Sequence, residues 1–387
     1  MDLALTSDEL AVLEQARALV PVLTERAAAT QAGRDVVPET IADFHRTGVL
    51  RVMQPRRFGG LQLRFSLFSR IVETLAAGCA STGWVYAVLG EHQWLLASYP
   101  LQAQIDVWGD DPLAVASSSL APRATAERTA GGWRLSGQFP FSSGSSHARW
   151  AIIGAFLGKP GDADATAYLL VPFGEIEIID DWHVLGLTGT GSRSLRLRDV
   201  FVPDHRCVML ADLLAGTPPG ATVHADYKLV RAPRGLLVNY SLPPVAITLG
   251  NRALAIATAT LRGRVSRGIT AMAASEFVQM TLAEAAAAID AATLTMRAGR
   301  AAAEILVATG EPIPPEIVMR TRRDMTFAQH QVQWAVEKLV ELCGARSVYD
   351  AEPLASIRRD VLTVLTHAVA SRQAAMGAWG KWALGGG

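Results

Sequence analysis

Clustered hydroxyl side chains stand beside a glycine and a histidine in the segment Phe139–Trp150, which reads Phe-Pro-Phe-Ser-Ser-Gly-Ser-Ser-His-Ala-Arg-Trp. Apolar runs flank it, Trp133–Leu135 before and Trp150–Leu157 after. Small hydroxyls at the end of a strand can bond to the polar edge of a planar ligand, and glycine lets the backbone approach that ligand closely. The same composition is typical of a hairpin turn. This segment alone therefore leaves ligand binding and turn formation equally open.

Composition restricts the possible classes of protein. The chain has 387 residues, with 36 Lys+Arg and 36 Asp+Glu, so the net charge is zero and offers no general attraction for nucleic acid or an anionic membrane. Its three cysteines, Cys79, Cys207 and Cys343, are far apart, which argues against a structural zinc site or a disulfide framework. No signal-peptide pattern and no uninterrupted apolar stretch of roughly 18 residues is present. We expect a soluble, cytoplasmic protein without a metal or a membrane anchor.

The pattern along the chain predicts three domains. Residues 1–112 form an N-terminal helical domain, residues 113–212 a central β domain, and residues 213–387 a C-terminal helical bundle. In the first, Phe65–Ala77 and Thr82–Tyr99 are apolar on most sides, which indicates buried helices. In the second, short β-rich runs are separated by Gly, Pro, Asp and Ser, as in a sandwich or barrel. These runs are Ala114–Leu120, Gly132–Gly137, Trp150–Leu157, Ala167–Pro172, Ile176–Asp180 and Ser194–Val202.

Four long Ala-rich periodic segments in the last domain predict a helical bundle. They are Leu242–Arg267, Thr281–Thr309, Pro315–Leu342 and Pro353–Trp382.

Helices, then strands, then a helical bundle is the order of the acyl-CoA dehydrogenase superfamily, and several motifs resemble that family. They are Gly59-Gly60, the segment Leu75–Trp84, the segment Trp182–Ser192 (Trp-His-Val-Leu-Gly-Leu-Thr-Gly-Thr-Gly-Ser), Asp199–Pro203 and the pair Arg359-Asp360. The resemblance covers nearly the whole chain. It implies a mainly α fold with a central β-barrel or sandwich and a C-terminal four-helix bundle.

The chain departs from the dehydrogenases at the catalytic base. A dehydrogenase needs a carboxylate to remove the α-proton of its thioester. Alignment on Arg359-Asp360 places Ala368 at the common position of that base, with His367 just before it, and the alternative position within Val238–Leu249 contains no Asp or Glu. The Arg-x-Gln-Phe-Gly stretch that holds the distal part of FAD is also absent, since Leu261–Gly268 reads Leu-Arg-Gly-Arg-Val-Ser-Arg-Gly. Flavin would then be held less permanently.

These losses match the oxygenase components of two-component flavin-dependent monooxygenases, and the chain resembles the phenol and polyketide hydroxylases of that branch. There, a separate NAD(P)H:flavin reductase delivers reduced FAD or FMN, which reacts with O₂ to give a C4a-hydroperoxide. That species hydroxylates an aromatic substrate, a phenol, an indole or a polycyclic polyketide. No G-x-G-x-x-G fingerprint or P-loop occurs in this chain, which fits a separate reductase. The resemblance also implies a homotetramer or homodimer.

The resemblance implies catalytic roles for four positions. His92 follows the Ser-Thr-x-Trp segment and would accept the substrate's proton. Ser118, with Ser117 as its alternative, would orient the substrate hydroxyl or relay its proton. His367 would donate to the flavin near C4a, where a donating or positive group stabilises developing negative charge. In an apolar helix, however, a histidine is often only a hydrogen-bonded core residue.

Further positions are expected around the flavin and the substrate. Ser142 or Ser143 would hydrogen-bond flavin N5. Thr188 and Thr190 would lie near the flavin. His147 would either contact the flavin or only fix the turn. Trp94, with Tyr99 and Met325, would form an apolar wall of the substrate pocket.

Two other functions stay open at this stage. An acyl-CoA dehydrogenase with a relocated base would purify with tightly bound FAD that an acyl-CoA bleaches. A flavin-free remnant of the fold would act as a binding subunit, although the joint presence of His92, the serine clusters and His367 argues against it. Four further histidines show no spacing typical of a metal site. They are His183, His205, His224 and His330.

Overall fold

The computed structural model describes residues 3–160, 165–266 and 270–385. The chain begins with helices, and the two predicted apolar helices are both present. Helix α4 is buried along nearly its whole length, because its sequence offers no continuous polar face to water. The N-terminal helices are α1 (Ser7–Gly33), α2 (Pro38–Thr47), α3 (Phe65–Gly78), α4 (Ala80–Ala97) and α5 (Leu101–Trp108).

The central strands form two four-stranded sheets, in the orders β1-β4-β5-β8 and β2-β3-β7-β6. Side chains that include Leu135, Phe139, Ile153 and Leu195 form an apolar core shared by both sheets. Strand β1 pairs in parallel with β4, which sets its serines at the sheet edge beside α4. The strands are β1 (Ala116–Ser119), β2 (Glu127–Thr129), β3 (Gly132–Ser142), β4 (Trp150–Phe156), β5 (Thr166–Pro172), β6 (Glu177–Ile179), β7 (Arg193–Pro203) and β8 (Cys207–Met209).

The rest of the described chain is helical apart from one short pair of strands, and α9, α10, α11 and α12 pack together as a bundle. The mainly α fold with a central β region, predicted from the sequence, is thereby confirmed. The domain boundaries at residues 112 and 212 stay a prediction. The elements are α6 (Leu210–Ala215), α7 (Gly220–Val223), α8 (Arg234–Leu237), α9 (Pro243–Arg262), β9 (Val265–Ser266), β10 (Thr270–Ala271), α10 (Glu276–Thr309), α11 (Pro315–Cys343), α12 (Pro353–Thr366) and α13 (Arg372–Ala383).

Three predicted helices differ from the observed ones. The predicted helix Thr281–Thr309 begins earlier, at Glu276. The predicted helix Leu242–Arg267 ends earlier, at Arg262, and Arg267 itself lies outside the described residues. The prediction of one helix over Pro353–Trp382 is wrong, because the chain leaves the helix at His367, which has φ −69° and ψ 147°. The His367 side chain accepts a hydrogen bond from the next turn, and the Ser371 side chain caps α13. These side chains cap the starts of the two elements that follow the break, and neither Pro nor Gly occurs between Thr366 and Arg372.

Helix α12 is fastened to the loop between β6 and β7. The Leu187 amide donates to the Asp360 carboxylate at 2.6 Å. Gly186 lies against the Arg359 carbonyl, where a Cβ atom would approach the carbonyl oxygen to 2.2 Å. Burial raises the pKa of Asp360 to about 6, although the Leu187 hydrogen bond and the charges of Arg359 and Arg252 oppose the shift. One buried carboxyl group therefore joins the sheets to the bundle.

Asp360→Asn is expected to change how stability depends on pH. A carboxyl group whose folded pKa is raised contributes stability below its unfolded pKa, and that contribution is lost as pH rises through about 6. The unfolding free energy of wild type, relative to Asp360→Asn, should thus fall by up to about 3 kcal/mol between about pH 4 and pH 7. Urea unfolding of both proteins across this range measures the difference. A pH-independent difference would contradict the assignment.

Candidate active site

His92 lies on buried helix α4 and faces strand β1. Its Nδ1 is 2.6 Å from the Ala116 carbonyl, and its Nε2 is 3.1 Å from Ser118 Oγ. A carbonyl can only accept, so Nδ1 carries the hydrogen and Nε2 accepts from the Ser118 hydroxyl. Burial, reinforced by the positive charge of Arg234, lowers the pKa of His92 to about 4. At neutral pH, His92 is therefore an uncharged base whose Nε2 accepts a hydrogen bond from the Ser118 hydroxyl.

Three of the predicted serines and the predicted Thr190 take part in three hydroxyl contacts, two of which include Ser192. Ser117 Oγ lies 2.9 Å from Ser142 Oγ, which joins β1 to the end of β3. The next residue, Ser143, turns the other way, and its Oγ lies 2.7 Å from Ser192 Oγ. Ser192 in turn lies 2.7 Å from Thr190 Oγ1. The loops that carry the two halves of the proposed flavin site are therefore directly hydrogen-bonded.

Trp84 connects this hydroxyl network to His367. The indole Nε1 of Trp84 donates to Ser143 Oγ at 3.1 Å. Its ring meets the His367 ring edge-on, with centroids 5.5 Å apart. Sequence analysis placed Trp84 in a motif without giving it a role. Its position eight residues before His92 on one helix was the available signal, because two turns of a helix bring such residues near one face.

His367 remains accessible to water even though protein atoms surround its imidazole. Its surroundings, with Arg234 as a second cause, lower the pKa of His367 to about 4. Protein atoms close to the ring disfavour its charged form. Nδ1 accepts from the Val369 amide at 3.2 Å, which leaves the hydrogen on Nε2. Of the two roles expected, a donating or a positive group, the structure favours a neutral donor.

Helix α11 holds the turn that presents His367. The Thr326 hydroxyl donates to the Val369 carbonyl at 3.2 Å, and His330 Nε2 donates to the Ala370 carbonyl at 3.0 Å. Sequence analysis missed both residues. Their partners are backbone atoms, which no side-chain pattern reveals.

His147 contacts a carboxylate at the end of α1. Its Nε2 lies 3.1 Å from Asp35, which also accepts from Ser146 at 2.5 Å and from Arg193 at 2.7 Å. Burial would raise the pKa of Asp35, but the hydrogen bonds from His147, Ser146 and Arg193 outweigh it and lower that pKa to about 2. These contacts support the turn-fixing alternative for His147. Its contact with flavin stays a prediction.

The surroundings of the last two predicted positions, Thr188 and Trp94, do not assign them a role in the site. Thr188 is half-buried in the same turn as Thr190. Trp94 is fully buried, and its Nε1 donates to the Leu229 carbonyl at 2.8 Å, so its polar atom is used within the protein. Its place in a substrate pocket stays a prediction. Within the described part of the chain, no three His, Cys, Asp or Glu side chains group as a metal site.

Comparison with known proteins identifies the family of the chain. Residues 6–108 match the family model described as the acyl-CoA dehydrogenase N-terminal domain, and residues 243–372 match that of the acyl-CoA dehydrogenase C-terminal domain. The site residues His92 and His367 lie one in each matched region.

Two curated relatives are oxygenases. The chain is 32% identical over 358 residues to the oxygenase subunit HsaA of a flavin-dependent monooxygenase from Rhodococcus jostii, covering 92% of this chain and 94% of the relative. It is 39% identical over 266 residues to the oxygenase component of an FADH₂-dependent resorcinol hydroxylase from a Rhizobium species, covering 66% and 64%. The crystal structure of 3-HSA hydroxylase from Rhodococcus sp. RHA1 superposes with a TM-score of 0.90 at 32% identity, over 97% of each chain.

Thr326→Val is expected to loosen the turn that carries His367. Valine keeps the shape of threonine but leaves the buried Val369 carbonyl without its donor, at a cost of about 1–2 kcal/mol in unfolding free energy. The Ala370 amide, which donates to the His367 carbonyl at 2.9 Å, should exchange its hydrogen faster. Urea unfolding and hydrogen exchange measure the two effects. Thr260→Val, at an exposed helical threonine, is the matched control, and equal effects in both variants would refute the assigned role.

Proposed function

Since the chain belongs to the oxygenase components of flavin-dependent monooxygenases, within the acyl-CoA dehydrogenase superfamily, we propose that it uses reduced flavin and O₂ to hydroxylate an aromatic substrate. The proposal rests on the neutral His92–Ser118 pair, because His92 lies on the same helix as Trp84, which bonds to the hydroxyl network and contacts His367. A hydroxylase needs a proton acceptor for the substrate and a donor for the oxygen that is being cleaved.

The donor set fits a flavin. Reduced flavin, when bound, supplies the electrons that activate O₂ for transfer of one oxygen atom. The polar edge of its ring system alternates donors and acceptors, and hydroxyl groups can serve as either. We propose that Ser142 or Ser143, Thr188 and Thr190 hold that edge. His147 would act there by fixing the Ser145–His147 turn through Asp35.

His92 and Ser118 would activate the substrate. The Ser118 oxygen has a free lone pair with which it accepts a hydrogen bond from a phenol or indole. As the substrate loses its proton to Ser118, the Ser118 hydroxyl passes its own proton to His92 Nε2. An electron-richer ring is a better nucleophile toward oxygen. Ser117 is bonded to Ser142, so it would couple the substrate side to the flavin side.

His367 would act as a hydrogen-bond donor. Its Nε2 hydrogen points away from the Nδ1 atom that is used within the turn. A preorganised donor in a partly desolvated site stabilises negative charge that develops on oxygen, without the cost of burying a full positive charge.

The substrate class and the reductase are proposed from the relatives. One relative is named for resorcinol, a dihydroxybenzene, and both are named as oxygenase parts of larger systems. We propose a small aromatic substrate for this chain and a separate NAD(P)H:flavin reductase that supplies reduced FAD or FMN. A cytoplasmic location stays a prediction.

An exposed apolar face of α10 supports a homo-oligomer. Within the described residues, α10 is the one helix long and apolar enough to cross a membrane. Only 28% of its most apolar window is buried in the bundle, so most of that window is at least partly exposed on a single chain. Phe277, Met280, Leu294 and Ile305 are 57–71% exposed, and their helical spacing places them on one side of α10. We propose that further copies of the chain cover this face, in a homotetramer or homodimer.

Rapid mixing tests the proposed reaction. The protein is loaded with reduced FMN or FAD without oxygen and then mixed with oxygenated buffer, while the absorbance of oxidised flavin is followed. A reappearance of oxidised flavin that is delayed relative to free flavin is expected. Oxidation at the rate of free flavin, together with bleaching of bound FAD by an acyl-CoA, would refute the proposal.

His367→Ala and His92→Ala should have different effects, because His367 is proposed to act on the flavin and His92 on the substrate. His367→Ala is expected to shorten the delay and to release more hydrogen peroxide. His92→Ala should keep the delay but lower the product formed per reduced flavin by at least about tenfold, because a general base is lost. His205→Ala, which removes a histidine paired with Asp106, is the control. An unchanged delay in His367→Ala would remove His367 from the mechanism.

Leu294→Glu is expected to break the oligomer. The leucine is 65% exposed, and a carboxylate there would be desolvated by any copy that covers the face. Light scattering coupled to size exclusion should show a smaller assembly. Leu10→Glu, at a leucine that is 46% exposed on α1, is the matched control. If the mass is unchanged in Leu294→Glu, the copies do not meet at this face.

A further inference from the structure

A chain of hydrogen-bonded hydroxyl groups beside the proposed flavin site has both of its ends fixed. The hydroxyl chain consists of Ser143, Ser192 and Thr190. At one end, the Trp84 indole donates to Ser143 Oγ at 3.1 Å. At the other end, the Thr190 hydroxyl donates to the Leu187 carbonyl at 2.9 Å. An indole N–H can only donate and a carbonyl can only accept, so these two groups set the direction of the bonds between them.

Each hydroxyl in the chain has one hydrogen to donate. Thr190 donates its hydrogen to the Leu187 carbonyl, so in its 2.7 Å contact with Ser192 it accepts. Ser192 donates to Thr190, so in its 2.7 Å contact with Ser143 it accepts in turn. The reverse order is unfavourable, because it would leave the Thr190 and Leu187 oxygens 2.9 Å apart with no hydrogen between them. The hydrogen of Ser143 is therefore committed to Ser192.

Ser143 can consequently only accept a hydrogen bond from a ligand. A hydroxyl oxygen has two lone pairs, and the Trp84 indole occupies one of them. Among the described residues, the contacts of Ser143 Oγ are those with Trp84 and Ser192, so its second lone pair is open. Ser143 is 6% exposed, whereas Ser142 is fully buried against Ser117. Of the two serines proposed to meet the flavin, Ser143 is thus the one that a ligand can reach.

The position of Ser143 matches the reacting edge of a flavin. Trp84, which donates to Ser143, meets the His367 ring edge-on with centroids 5.5 Å apart. His367 is expected near flavin C4a, and N5 is directly bonded to C4a. In reduced flavin, N5 carries a hydrogen and donates it, whereas in oxidised flavin N5 has only a lone pair and accepts. A protein group that can only accept therefore distinguishes the two oxidation states.

We propose that the hydroxyl chain makes this protein select reduced over oxidised flavin. Ser143 accepts from the N5 hydrogen, and Ser192 and Thr190 are positioning residues that hold the Ser143 hydrogen away from the flavin. This inference rests on the proposed function. With oxidised flavin, the lone pairs of N5 and Ser143 would face each other without a hydrogen, and such a buried mismatch lowers an affinity by about tenfold or more. The site would thereby release oxidised flavin and accept the next reduced one.

Ser192→Ala tests the chain, because it should strengthen the binding of one oxidation state. Without Ser192, the Ser143 hydroxyl can turn its hydrogen toward N5 of oxidised flavin. The affinity for oxidised FMN or FAD should rise by about tenfold, while the affinity for the reduced form stays within about twofold. Anaerobic calorimetry measures the reduced form, and the absorbance change of bound flavin measures the oxidised form. A residue with only a structural role would lower both affinities together.

Thr190→Val and Thr190→Ser test the next position of the chain. Valine removes the acceptor of the Ser192 hydrogen, so Ser192 can donate to Ser143 instead, and the affinity for oxidised flavin should rise as in Ser192→Ala. Serine keeps the hydroxyl and should keep the selectivity. Ser119→Ala is the matched control, because the buried Ser119 hydroxyl donates to the Pro140 carbonyl, outside the chain. Since two positions interrupt the chain, the test does not depend on the folding of one variant.

A flavin analogue tests the contact at N5 itself. A reduced 5-deazaflavin has carbon in place of N5 and donates no hydrogen bond there. Wild type should bind reduced FMN or FAD about tenfold more tightly than the corresponding analogue, and Ser143→Ala should abolish this difference. An equal affinity of wild type for both would remove Ser143 from N5 and overturn the proposal.

The results with Ser192→Ala can overturn the proposal in two further ways. Both affinities could fall together, which would make the chain merely structural, or the selectivity for reduced flavin could widen, which would mean that Ser143 donates. Rapid mixing without substrate reports the proposed function separately. A delayed flavin oxidation in wild type, with unchanged selectivity in Ser192→Ala, would leave the hydroxylase and remove only the role of the chain. A wild-type protein that binds neither form of flavin would overturn both.

Discussion

The burial of helix α4 is the constraint on which the site depends. Polar atoms on a helix without an exposed face must find partners inside the protein, because an unpaired buried group costs about 1–3 kcal/mol. Trp84 bonds to the serine loop, His92 to β1, and Glu91 and Trp94 to the segment around Arg234. The serine loop and β1 belong to the proposed site. The hydrogen-bonding needs of one buried helix thus bring these segments together.

Desolvation decides the electrostatics of the two site histidines, His92 on α4 and His367 beyond α12. His92 and His367 both have pKa values lowered to about 4, so neither carries charge at neutral pH. The Nδ1 of His92 donates to a backbone carbonyl, so its Nε2 is an acceptor. The Nδ1 of His367 accepts from a backbone amide, so its Nε2 is a donor. Two residues of the same type thereby obtain opposite chemical roles. Backbone partners do not titrate, so these roles are constant above about pH 4.

The break at His367 shows how a local cap serves the whole site. A continuous helix would carry this side chain along the bundle, whereas the observed turn sets it against Trp84. Thr326 and His330 hold the turn from α11, and the contact between Asp360 and Leu187 holds α12 on the β-sheet loop. These contacts therefore fix the position of the sheets relative to the bundle beside the proposed site, to which both contribute residues.

The sequence by itself determined the fold class, the order of helices and strands, and the family, because apolar periodicity and turn residues act locally and the motifs are contiguous. It also indicated which serines and histidines to examine. The tertiary structure decided which hydroxyl pairs with which, the hydrogen positions on His92 and His367, and the anchoring roles of Trp84, Trp94, Thr326 and His330. These features depend on contacts between residues far apart in the chain and on burial, neither of which a local pattern encodes.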